Sequence, residues 1–158
     1  MDTAIYGLNN KTAIVTGAGS GIGRGTALEM AKAGANVIVA ELQPTMAEET
    51  AAMVRDAGRS ALVAVTDVTS AGSVAQMMAK AVREFGGVDI LVNNVGGLGS
   101  QPRKTTIVEL SPEEWEALLR LNLTSQFLCC KAFISYLLDN GRSGSIVNVA
   151  SLAAMVPY

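Results

Sequence analysis

Runs of apolar, mostly β-branched residues recur along the chain at positions 12–16, 36–41, 61–66, 88–93 and 145–150. Between them, apolar positions return with helical spacing over 22–33, 45–57, 70–85 and 112–138, the last with a break near Asn122. The strand-like runs are continuously apolar rather than alternating, as expected of a parallel sheet buried on both faces. Strand, helix and strand in succession imply right-handed crossovers. The expected class is therefore α/β, a doubly wound parallel sheet in three layers. Local chemistry supports the boundaries: Gly34 and Gly58 stand where helix C-caps belong, and Gly141 closes the long helical stretch. Ser111-Pro112-Glu113-Glu114 reads as an N-cap, an N1 proline and a capping-box glutamate. No internal repeat, low-complexity tract or linker divides the sequence, so residues 1–158 are read as a single domain.

Composition narrows the partners. Hydrophobic residues make up 49% of the 158 positions and charged residues 16%, which suits elements covered on both sides. The net charge of −2 and the lack of a basic block argue against nucleic acid or an anionic membrane surface. No apolar run approaches a membrane span, and Met1-Asp2-Thr3 does not begin a secretory leader. A soluble cytoplasmic protein is the expectation. The only cysteines, Cys129 and Cys130, are adjacent on a helical pattern and read as reduced, buried small hydrophobes. No metal site is expected from them. With no histidine in the chain, a Ser-His-Asp hydrolase is excluded for these residues, and acid–base chemistry near neutral pH needs another residue type.

The densest chemical signal is Thr16-Gly17-Ala18-Gly19-Ser20-Gly21-Ile22-Gly23, set between a strand and a helix. Glycines there let the backbone approach a bulky anion, which the free N–H groups of the helix's first turn then bind. The spacing is Thr-Gly-x-x-x-Gly-x-Gly, with Gly17, Gly21 and Gly23 as key positions, and differs from the common G-x-G-x-x-G fingerprint. A P-loop is excluded because no Gly-Lys-Ser/Thr follows. The alternative is a tight turn whose small residues serve close helix–strand packing. Glu41 ends the second strand run and can accept hydrogen bonds from adenosine ribose hydroxyls. It would repel a 2′-phosphate, and neither Ser20 nor Leu42 offers a compensating cation. NAD is favoured over NADP on that ground; a solvated strand-end glutamate is the plainer reading.

Further candidates follow the later strands. Asp67-Val68 could meet an adenine amino group, or Asp67 could be a turn or N-cap aspartate. Asn93-Asn94-Val95-Gly96-Gly97 could pin neighbouring strands while the backbone passes a ligand, or form an ordinary asparagine–glycine turn. Asn122 interrupts an apolar helical stretch, where a buried amide needs partners. Ser151 follows the last strand run at the carboxyl edge where open α/β sheets bind ligands.

Taken together, these residues resemble the short-chain dehydrogenase/reductase family from about Leu8 onward. The resemblance rests on Thr16-Gly-x-x-x-Gly-x-Gly23, Asp67-Val68, Asn93-Asn94-Val95-Gly96, Asn122, and Val147-Asn148-Val149-Ala150-Ser151, with Val95 standing where the family usually has alanine. It implies a Rossmann-like fold in which the Gly17–Gly23 turn, with Ser20 and Ile22, holds the cofactor pyrophosphate and ribose. Glu41 would hold the adenosine ribose, Asp67 and Val68 the adenine, and Asn94, Val95 and Gly96 the nicotinamide-side ribose. Ser151 would hydrogen-bond the reacting oxygen of the substrate, and the Asn122 backbone carbonyl would help hold a relay water. The implied activity is hydride transfer between NAD and a secondary alcohol or ketone, by a homodimer or homotetramer whose interface includes the helix at 123–138.

The family's acid–base group is a tyrosine followed four residues later by lysine. Tyr158 lies only seven residues past Ser151 and has no such lysine after it, so it reads as a loop tyrosine rather than the catalytic one. These residues are accordingly read as the N-terminal portion of a longer chain, with a final helix and strands missing that would cover the edge at 145–150. The competing reading is a catalytically silent NAD-binding module, separated from the enzyme by whether Tyr-x-x-x-Lys follows residue 158. A nucleoside-binding methyltransferase would explain the glycine turn and Glu41, but neither Asn93-Asn94 nor the setting of Ser151.

Overall fold

The computed structural model describes residues 7–99, 106–152 and 155. Five strands, β1 (Thr12–Thr16), β2 (Asn36–Glu41), β3 (Ala61–Val65), β4 (Ile90–Asn93) and β5 (Ser145–Asn148), form one sheet in the order β3-β2-β1-β4-β5. Every pairing is parallel, with Ile14 opposite Ile38 on one side and Leu91 on the other. Helices α1 (Gly21–Lys32), α2 (Pro44–Asp56), α3 (Ala71–Phe85), α4 (Pro112–Leu119) and α5 (Ser125–Asp139) connect them. The expected doubly wound α/β architecture is what forms.

Residue alternation along the strands divides the core into two. Ala13, Val15, Val37, Val39, Ile90 and Val92 face one way and pack with Ala27 and Ala31 of α1 and Ala47, Ala51 and Val54 of α2. Ile14, Ile38, Ala40 and Leu91 face the other way, against Val74, Met77, Met78 and Ala81 of α3 and Cys129 and Phe133 of α5. This two-residue period is hidden in the sequence because both faces are covered, so both sets must be apolar. Small residues dominate on α1 and α2, which lets those helices lie close to the sheet. Among the described residues Phe133 is the largest fully buried side chain, and it anchors α5.

Burial on both faces holds for β1, β2 and β4 but not for the sheet's edges. β3 is largely half-buried, and three of the four β5 residues are exposed. β3, β4 and β5 are also shorter than the apolar runs that signalled them. The run at 88–93 begins with Val88 packed in the core before sheet pairing starts at Ile90.

The punctuation is as the sequence indicated. Gly34 and Gly58 adopt positive φ just past α1 and α2, and Gly141 does so after α5. The Ser111 hydroxyl accepts from Glu114 N–H at 3.2 Å, while Glu114 Oε2 accepts from Ser111 N–H at 2.7 Å, completing the capping box. The expected break near Asn122 is a π-helical turn, Arg120–Thr124, between α4 and α5.

Candidate functional site

The strand order reverses between β1 and β4, which are neighbours although α1, β2, α2, β3 and α3 intervene in the chain. Crossovers leave this pair in opposite directions, so a crevice opens above its carboxyl ends, the place where open α/β sheets take ligands. A cleft of about 480 Å³ lies there. Gly17, Ser20 and Ile22 line it from the glycine turn, Glu41 from β2, Asp67 and Val68 from the end of β3, and Asn94, Val95 and Gly96 from the end of β4. Nine positions singled out in the sequence are thus brought to one surface. Gly23, Asn122 and Ser151 are not among the cleft's lining residues.

The glycine turn is shaped by backbone demands. Gly17 and Gly21 have φ of 62° and 51°, where side chains are disfavoured. Gly23 has a different reason: a Cβ there would lie 2.1 Å from the Gly17 carbonyl oxygen and 2.6 Å from Asn94 Nδ2. α1 can therefore approach the turn only with glycine at this point. The Ser20 N-cap side chain makes no capping bond, unlike Ser70 and Ser111, which cap α3 and α4. Ser20 thus leaves the first turn of α1 without a side-chain cap where Ser20, Gly21 and Ile22 line the cleft, Ile22 being 70% exposed.

Thr16 and Asn94 tie the two switch-point strands together. The Thr16 hydroxyl donates to the Val92 carbonyl at 3.3 Å and accepts from the Asn94 N–H at 3.0 Å. Asn94 Nδ2 donates back to the Thr16 and Gly17 carbonyls at 3.0 and 3.3 Å. Asn93 points to the other side, where its Nδ2 donates to Asn148 Oδ1 at 2.9 Å and to Cys130 Sγ at 3.2 Å. The asparagine pair therefore pins β4 to β1 on one side and to β5 on the other, as the strand-pinning reading holds.

Glu41 is fixed by backbone donors. Its Oε2 accepts from Gly19 N–H at 3.0 Å, and its Oε1 accepts from the N–H groups of Leu42 and Gln43 at 2.9 and 3.1 Å. A Cβ on Gly19 would fall 2.7–2.8 Å from Glu41 Cγ, Cδ and Oε2, so the glycine there makes room for the carboxylate. Sequence reasoning passed over Gly19 because its partner is 22 residues away. Asp67 forms a turn of its own: Oδ1 accepts from Thr69 N–H at 2.9 Å and from the Thr69 hydroxyl at 2.7 Å. Its other oxygen accepts no bond among the described residues, and Asp67 lines the cleft.

Asn122 differs from expectation. It is exposed rather than buried, yet its amide makes three hydrogen bonds. Oδ1 accepts from Gly97 N–H at 2.8 Å, and Nδ2 donates to the Gly97 carbonyl at 2.8 Å and the Leu118 carbonyl at 2.9 Å. The π-turn displaces the normal helical bonding, and the side chain takes up the Leu118 carbonyl while clamping the loop after β4. Ser151 is exposed just beyond β5, at the carboxyl edge of the sheet. Tyr158 and the loop positions 100–104 lie outside the described residues. Cys129 is buried, and burial pushes its thiol up to about 12, consistent with an inert small hydrophobe. Cys130 is only half-buried, which departs from the expectation of two buried thiols. Among the described residues no group of acidic, cysteine or histidine side chains could hold a metal, and no helix is long and apolar enough to cross a membrane.

A doubly wound parallel sheet with a glycine turn and an acidic residue at adjacent strand ends is the architecture of the α/β Rossmann class. Comparison with known proteins makes this specific: the family model for short chain dehydrogenase matches residues 11–158. The short chain dehydrogenase/reductase astE of Aspergillus oryzae is 42% identical over 147 residues, covering 92% of this chain and 55% of that protein. A short-chain type dehydrogenase/reductase from Mycobacterium marinum superposes with a TM-score of 0.90 at 31% identity, over 100% of this chain and 63% of that one. NAD+-bound xylitol dehydrogenase does so with a TM-score of 0.87 at 32% identity, over 96% of this chain and 56% of that one. The chain belongs to the short-chain dehydrogenase family, and spans a little over half the length of the relatives it matches.

Proposed function

We propose that the protein is an NAD-dependent oxidoreductase that interconverts a secondary alcohol and a ketone. The observation that carries this reading is the cleft at the β1–β4 switch point, with the glycine turn on one wall and the fixed Glu41 carboxylate on another. Its chemistry fits a dinucleotide. First-turn N–H groups of α1 and the helix dipole bind a pyrophosphate. An ionised carboxylate has about four acceptor positions; backbone donors take three at Glu41 and leave one on Oε2 for a ribose hydroxyl. The free oxygen of Asp67 accepts from an adenine amino group, with buried Val68 beside the ring. A 2′-phosphate at the Glu41 position meets like charge, and Ser20 and Leu42 supply no cation.

The nicotinamide ring, when bound, supplies the hydride or receives it. The chain's own residues bind and orient. Asn94, Val95 and Gly96 hold the nicotinamide-side ribose, and the Asn122 clamp on Gly97 keeps that loop in place. Ser151 hydrogen-bonds the reacting oxygen of the substrate, and preorganised bonding of this kind contributes several kcal/mol to transition-state stabilisation. The Asn122 carbonyl holds a water in the path of the proton. Exposed Phe127, Ile134 and Leu138 on α5 support a subunit interface of a homodimer or homotetramer.

Titration of the full-length protein with NADH and NADPH tests the cofactor, with tighter NADH binding expected and a narrower gap in Glu41→Ala. Equal affinities in the unmodified protein would refute the role given to Glu41. Turnover is read from reduced nicotinamide formed with a panel of secondary alcohols. Binding without turnover on any of them favours an NAD-binding module over an enzyme.

A further inference from the structure

Gly19 is held from both sides. Its N–H donates to Glu41 Oε2, and its carbonyl accepts from Arg24 Nη2. The same Nη2 donates to Glu49 Oε2 at 2.9 Å, and Arg24 Nε donates to the Thr50 hydroxyl at 3.0 Å. Thr50 is fully buried and donates in turn to the Met46 carbonyl at 3.2 Å, so this end of the chain of bonds is fixed to the α2 backbone. Arg24 therefore joins three elements: the glycine turn, its own helix α1, and α2. It does not line the cleft, whereas Ser20, next to its Gly19 contact, does.

We propose that Arg24 is a positioning residue for the adenosine half of the bound dinucleotide, acting through Gly19 on the Glu41 carboxylate. This rests on the nicotinamide-cofactor reading above. Orientation, rather than stability, is the contribution. The Arg24–Glu49 pair is exposed on the glutamate side and adds little to folding by itself. What a planar guanidinium does add is a rigid fork of donors that serves a carbonyl, a hydroxyl and a carboxylate at once. A lysine can reach one or two of these as a point charge and cannot fix the peptide's plane. Losing the fork frees the Gly19–Ser20 peptide, whose carbonyl Arg24 holds, and so loosens φ and ψ at the Gly19 Cα that it shares with the Ala18–Gly19 peptide, whose N–H holds Glu41 Oε2.

The test uses the full-length protein with two half-ligands: ADP-ribose for the adenosine side, and reduced nicotinamide mononucleotide for the other. Arg24→Ala should weaken ADP-ribose about 10-fold, the scale of one charge-assisted hydrogen bond, and leave the mononucleotide unchanged. Arg24→Lys should fall between. Combined with Glu41→Ala, the Arg24 effect should largely vanish, because both act on the same contact. Should Arg24→Ala fail to fold, Glu49→Ala should still show a smaller loss confined to ADP-ribose. Unchanged ADP-ribose affinity, equal loss for both halves, or full additivity with Glu41→Ala would each overturn the assignment while leaving the cofactor reading intact. An unmodified protein that binds neither half-ligand overturns the cofactor reading and this inference with it.

Discussion

Gly19→Ala separates the packing role of the glycine turn from its role in selecting a ligand. The added methyl would lie 2.7–2.8 Å from three atoms of Glu41. Carbon atoms rest about 3.5–4.0 Å apart, so the carboxylate must retreat by about 1 Å. That movement stretches the 3.0 Å bond from Gly19 N–H beyond useful length, while the bonds from Leu42 and Gln43 can follow Oε1. A hydrogen bond to a charged group contributes about 1.5–3 kcal/mol in a shielded setting, and Glu41 is half-exposed, so a stability loss of about 1 kcal/mol is expected. The effect on binding should be larger in kind than in size. NADH should weaken by about 5- to 10-fold, NADPH by less, because the displaced carboxylate no longer repels the 2′-phosphate as closely. Calorimetric titration of both cofactors, beside urea denaturation, gives all three numbers. An unchanged ratio of NADH to NADPH affinity would refute the argument that Gly19 exists to seat Glu41.

Gly23→Ala should behave differently, since its Cβ would meet the Gly17 carbonyl at 2.1 Å, and backbone on both sides cannot yield. A loss of about 3 kcal/mol or more in urea denaturation, with no cofactor binding, is expected. Phe133→Ala empties a fully buried position on the α5 face and should cost about 3–5 kcal/mol in the same assay. It should leave NADH affinity in the remaining folded protein unaltered. Burial keeps Cys129 protonated in the folded state to about 12, above the ordinary thiol value of 9.0, so the native state binds the extra proton between these limits. Its contribution to stability is complete below pH 9.0 and is lost as pH rises toward 12. Iodoacetamide at pH 8 should accordingly label half-buried Cys130 well before Cys129, with both labelled in denaturant. Equal labelling of the native protein would contradict the burial.

Strands and their order of appearance were legible because β1, β2 and β4 are covered on both faces and advertise themselves as unbroken apolar runs. The edges were less so. Residues 61–65 and 145–148 carry the same kind of run, but sequence does not say which strands will lie at the rim. Local chemistry read well wherever both partners sit within a turn, as in the Ser111–Glu114 capping box and the glycines beyond α1, α2 and α5. The glycine turn, Glu41, Asp67 and Asn94 were recognisable from residue type and position relative to strand ends. How they are held was not. Gly19 meets Glu41 only because β1 and β2 are adjacent, and Arg24 meets Glu49 and Thr50 only because α1 and α2 share a face of the sheet. Asn122 shows the converse. Its position marked a helical irregularity correctly, but its amide serves an exposed loop clamp on Gly97 rather than a buried network.

The central claim is that the cleft between the glycine turn and the end of β2 receives a dinucleotide. Amide hydrogen exchange on the full-length protein, with and without saturating NADH, tests it most directly. Slowed exchange is expected at residues 17–23, 41–43, 67–68 and 94–97, with the far end of the sheet around Asn36 and Ser145 unchanged. Protection that spares 17–23 and 41–43, or that falls only at the opposite end of the strands, would contradict it.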